Sequence, residues 1–151
     1  MSTTMLSSPR TTEYETAQTY RLTAPAAAST VRIAREYVAA VLVADGHLAL
    51  VDDARLCVSE VVTNVLEHTR VPRIDVEVTT RDVRAIIAVH DSNPAALPLP
   101  REARTDEEAG RGLRILEHLT SAWGTAFVWD GRCDIIGKRV WFELREGAVI
   151  A

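Results

Sequence analysis

Lysine is almost missing from this chain. Of its 17 basic residues 16 are arginine, and Lys138 is the exception. Acidic residues outnumber basic ones, leaving a net charge of -4. That excludes the phosphate-neutralising strategy of a basic nucleic-acid-binding module, so no direct nucleic-acid partner is expected. Cysteine is scarce too: Cys57 and Cys133 stand far apart, with no paired or His/Cys metal spacing. A structural zinc site is not expected, and both cysteines read as small buried hydrophobes rather than redox groups. No apolar run approaches the ~20 residues of a membrane span, and residues 1–19 lack the pattern of a signal peptide. The chain therefore reads as cytoplasmic with no membrane partner. Aromatics make up 5% of the residues, so the core must be built from Val, Leu, Ile and Ala.

What is present has the composition of one ordinary soluble domain. Residues 1–17 are polar and without periodicity, which reads as a tail ahead of a domain over 18–151. Tyr20-Arg21-Leu22 suits a short edge strand, with Thr23 as N-cap and Pro25 in the first turn of a helix over 26–44. Asp45-Gly46 should end that helix. A second helix is expected over 50–68. Val51, Ala54, Val58, Val61, Val62, Val65 and Leu66 form its apolar arc, and Glu60, Thr63, Asn64 and Glu67 lie opposite. Pro72 closes it. Residues 74–79 and 85–90 read as an antiparallel hairpin. The stretch 91–109 is longer than a structural connection usually is, which favours a binding loop or lid. A short helix over 113–121 and a hairpin of 123–130 with 139–144 complete the order. Hairpin-linked strands exclude a doubly wound parallel sheet. The expected fold is an α/β (α+β) two-layer sandwich, a mostly antiparallel sheet with helices on one face.

Three segments carry candidate chemistry. Glu60 and Asn64 stand four apart, one turn over the other on a helix. An amide oxygen can ligate a hard cation while the neighbouring carboxylate orients or deprotonates a nucleophile. Taken alone, the pair better suits the solvated face of an amphipathic helix. Asp91 ends an apolar strand, where its carboxylate can accept from an exocyclic amine such as that of adenine; alone, it reads better as a turn former before Pro94. Gly110-Arg111-Gly112-Leu113 opens a helix whose N–H groups and positive partial charge suit phosphates. Such a glycine pair also caps helices without any ligand.

In this order the segments resemble the ATP-binding boxes of the superfamily containing gyrase, histidine kinases, MutL and anti-sigma factor serine kinases. The nearest likeness is to the single-domain, RsbW-like serine kinases of actinobacteria. It is carried by Leu56-Cys57-Val58-Ser59-Glu60-Val61-Val62-Thr63-Asn64, by Gly110-Arg111-Gly112-Leu113-Arg114-Ile115-Leu116, by Trp123-Gly124, and by Gly137-Lys138-Arg139-Val140-Trp141-Phe142-Glu143-Leu144. The likeness spans residues 18–146.

The resemblance implies a Bergerat-type ATP-binding fold with ATP and Mg²⁺ as cofactors. In it Asn64 would hold the metal, Asp91 would read the adenine amino group, and Glu60 would be the catalytic general base. Gly110, Arg111, Gly112 and Leu113 would contact phosphates from a lid. The implied function is transcription regulation by a protein serine kinase. It phosphorylates an anti-anti-sigma (STAS-type) protein that competes with a sigma factor, and a homodimer is compatible with it. The alternative is a non-catalytic, nucleotide-gated module that sequesters a regulatory partner. Two positions depart from the family pattern. The usual Asp-x-Gly-x-Gly turn is Asp91-Ser92-Asn93-Pro94-Ala95, and Arg139 replaces a threonine whose hydroxyl helps bind adenine. Both predict weakened nucleotide affinity.

Overall fold

The computed structural model describes residues 17–91, 114–129 and 135–147. Strand β1 (Gln18–Pro25) leads into helix α1 (Ala28–Ala44), and a single 3-10 turn (Leu48–Leu50) leads into helix α2 (Val51–His68). Strands β2 (Arg73–Arg81) and β3 (Arg84–Asp91) follow. Residues 114–119 are helical and form α3. Strands β4 (Ala122–Trp129) and β5 (Ile135–Arg145) complete the described fold. The sheet order is β1-β2-β3-β5-β4, and every neighbouring pair is antiparallel. Both long helices pack on one face, giving the expected α+β two-layer sandwich.

Alternation places the core. Ile74, Val76 and Val78 of β2, Ala85, Ile87 and Val89 of β3, and Phe142 and Leu144 of β5 point to the helix layer and are buried. They meet the arc of α2, where Val51, Ala54, Val58, Val61, Val62 and Val65 are buried together with Cys57. Leu66, expected in that arc, is only partly buried. Burial, reinforced by the charges of Asp53 and Glu60, pushes the Cys57 thiol up to about 12. A thiol held neutral in this way is packing, not a nucleophile. Cys133 lies outside the described residues.

The start of α1 differs from the sequence expectation. Thr23 does not cap a helix; it is a strand residue whose hydroxyl donates to Asp75 on β2. Pro25 ends the strand, and α1 begins at Ala28 behind Ala27, which offers no side-chain cap. Pairing of all eight β1 residues with β2 outweighs the local capping signal. The other end is as expected: Gly46 adopts φ +82, a left-handed conformation suited to glycine. There the Asp45 carboxylate accepts from Tyr20 (2.9 Å) and the buried Thr80 (2.6 Å), tying the end of α1 to β1 and β2.

The face turned away from the helices carries a charge cluster. Glu77 accepts from Arg21 at 2.8 Å, with His90 at 3.5 Å and Arg139 at 3.9 Å. Burial would raise the Glu77 pKa, but the Arg21 hydrogen bond and the charges of His90, Arg21 and Arg139 hold it below its ordinary 4.5. For His90, burial dominates and lowers its pKa from 6.5. Arg139 and Arg21 add to this, and Glu77 and Asp75 oppose it. Depressed folded pKa values mean that the unfolded chain takes up protons first. Stability should be full above pH 6.5 and fall as pH drops through the folded pKa of His90. It should fall again below 4.5 as Glu77 protonates. Denaturant titrations at about pH 7.5 and about pH 5.5 check this, since His90→Gln should flatten the first step. An unchanged slope in that variant would place the acid sensitivity elsewhere.

Candidate functional site

The apolar arc of α2 fixes which residues face away from the core. Glu60, Asn64 and His68 succeed one another at four-residue intervals and form one stripe along the helix. That stripe borders a cavity of about 380 Å³, lined also by Val61, Val65 and Thr69 from the same part of the chain. The volume lies within the roughly 300–1,000 Å³ usual for small-molecule sites. Asp91 enters from the last position of β3 and is 6% exposed. Leu116 of α3, Trp123 and Thr125 of β4, and Lys138 and Val140 of β5 complete the lining.

Strand register explains this gathering. Asp91 pairs with Lys138, Val140 with Thr125, and Phe142 with Trp123. Because alternate residues share a face, the cavity wall runs from β3 across β5 to β4. The structure thus brings Glu60, Asn64 and Asp91 to one cavity. Their spacing in sequence puts Glu60 and Asn64 on one helix, and the antiparallel sheet delivers Asp91 to the same end of the fold. Gly110, Arg111, Gly112 and Leu113, together with the expected lid, lie outside the described residues.

Arg139 does not occupy the position expected for it. It is next to Lys138 on β5 and therefore on the opposite face, where its guanidinium approaches Glu77 rather than the cavity. It is absent from the cavity lining. On the sheet side a hydroxyl comes from Thr125 on β4, a residue that sequence reasoning did not single out. Trp123 lines the cavity as well, and so does His68. Trp141 lies against Gly124 across the β4–β5 ladder: a Cβ at Gly124 would meet its ring at 3.0 Å.

The chemistry of the lining is divided. Val61, Val65, Leu116, Trp123 and Val140 offer flat apolar walls, suited to a planar base. Asp91 and Lys138 stand on the sheet side, Glu60 and Asn64 on the helix side. Asn64 supplies a hard amide oxygen and Glu60 a carboxylate, a donor set suited to Mg²⁺ completed by phosphate oxygens. Among the described residues no group of three or more His, Cys, Asp or Glu could hold a metal ion by itself. No described helix is long and apolar enough to cross a membrane.

Residues 24–126 match the family model of the histidine kinase-like ATPase domain. The match covers more than half of the chain and includes Glu60, Asn64, Asp91 and residues 110–113. No curated protein matches the chain.

Proposed function

The chain belongs to the histidine kinase-like ATPase domain family, and from that premise we propose that it is an anti-sigma factor serine kinase of the RsbW-like kind. It binds ATP in the α2–sheet cavity and transfers the γ-phosphoryl group to a serine of an anti-anti-sigma, STAS-type partner. The observation that carries this reading is the convergence of Glu60 and Asn64 from α2 with Asp91 from β3 on one cavity. Asp91 accepts from the adenine amino group, and the apolar walls hold the ring. Asn64 would hold Mg²⁺, whose charge would offset that of the phosphates. Glu60, one turn away, orients the incoming serine hydroxyl and takes its proton. Gly110 and Gly112, which precede α3 in the sequence, would let backbone N–H groups approach the phosphates.

The test is direct. The purified protein is mixed with Mg-ATP and each anti-anti-sigma protein encoded near it, and phosphoserine is sought by mass spectrometry. Stoichiometric, ATP-dependent phosphorylation of one partner is expected. Tight, nucleotide-dependent partner binding with no transfer would replace this reading with the nucleotide-gated binding module.

A further inference from the structure

The one lysine among 17 basic residues lies on the cavity wall. Lys138 stands directly across the β3–β5 ladder from Asp91. Side chains directly opposite on antiparallel strands have Cβ atoms about 4.5–5.5 Å apart. The wall therefore presents, side by side, a carboxylate that only accepts and an ammonium that only donates.

We propose that Lys138 is a second base-reading residue, donating to the adenine ring nitrogen that flanks the amino group bound by Asp91. The proposal rests on the reading of the cavity as an adenine-nucleotide site. Adenine presents an amino donor between two acceptor nitrogens, N1 and N7. Guanine presents a carbonyl oxygen and, at N1, an N–H. An acceptor beside a donor matches the first pattern, whereas on the N1 edge the second opposes it at both positions.

The choice of lysine fits this role. Arginine, the default cation of this chain, offers a planar fork matched to carboxylates and phosphates. A ring nitrogen is a single acceptor, and a compact ammonium on a flexible stem meets it with one of three donors, leaving fewer to be satisfied elsewhere than a five-donor guanidinium would. The apolar neighbours Leu116, Trp123 and Val140 lower the local dielectric and strengthen such a charge-assisted bond.

The test titrates Mg-ATP, 1-deaza-ATP and 7-deaza-ATP into the unmodified protein and into Lys138→Met. The unmodified protein should bind one deaza analogue about 10-fold or more weakly than ATP. Lys138→Met should bind ATP correspondingly more weakly and no longer distinguish that analogue from it. Equal weakening of all three ligands in the variant, or no weakening, overturns the proposal. Should Lys138→Met fail to fold, the unmodified protein decides: equal affinity for all three ligands overturns it. Failure of the unmodified protein to bind ATP at all is a separate result, which removes the nucleotide reading itself.

Discussion

Glu60→Gln should retain Mg-ATP affinity within about a few-fold while partner phosphorylation falls by at least about 10²-fold. The substitution keeps the size and reach of the side chain but removes its negative charge and with it the capacity to accept a proton. Glu60 lines the cavity one turn before Asn64, on the side of α2 turned from the core. Phosphoryl transfer is mostly positioning and charge stabilisation, yet general-base assistance is typically worth about 10²–10⁴-fold. Single-turnover phosphorylation, measured beside calorimetric ATP binding, separates the two effects. Collapse of binding would make Glu60 a structural or metal-shell residue. Undiminished transfer would mean that the serine loses its proton elsewhere.

Asn64→Ala should weaken Mg-ATP binding by about 10²-fold or more, while ATP without metal binds nearly as before. Mg²⁺ takes few protein ligands and dehydrates reluctantly, so one lost ligand is not readily replaced. Even groups that only support a ligand cost about 10–100-fold when removed. The alanine should not disturb folding, because Asn64 lies outside the buried arc of α2. Titrations with and without Mg²⁺ check the assignment. Equal Mg-ATP affinity in the variant and the unmodified protein would remove Asn64 from the metal site.

Periodicity, together with breakers such as Asp45-Gly46 and Pro72, was enough to order the elements, because α2 and the β2–β3 pair each bury a regular subset of residues. The boundary at Thr23 and Pro25 was misread because a local cap signal is indistinguishable from a strand end until β2 is known to pair there. On the helix side, the candidate site was legible, since Glu60 and Asn64 are neighbours at helical spacing. On the sheet side it was not. Lys138, Thr125 and Trp123 reach the cavity only through a register linking β3, β5 and β4. A shift of one residue would have sent Arg139 inward in place of Lys138. For the same reason Arg139 faces Glu77 and not the cavity: adjacency in sequence places two residues on opposite faces of a strand.

The central claim is that this cavity recognises adenine. Calorimetric titration of the unmodified protein with Mg-ATP and Mg-GTP tests it most directly. A buried carboxylate facing the guanine carbonyl would leave two acceptors opposed, so GTP should bind at least about 10-fold more weakly than ATP. Equal affinity for the two nucleotides, or binding of neither, would contradict the account.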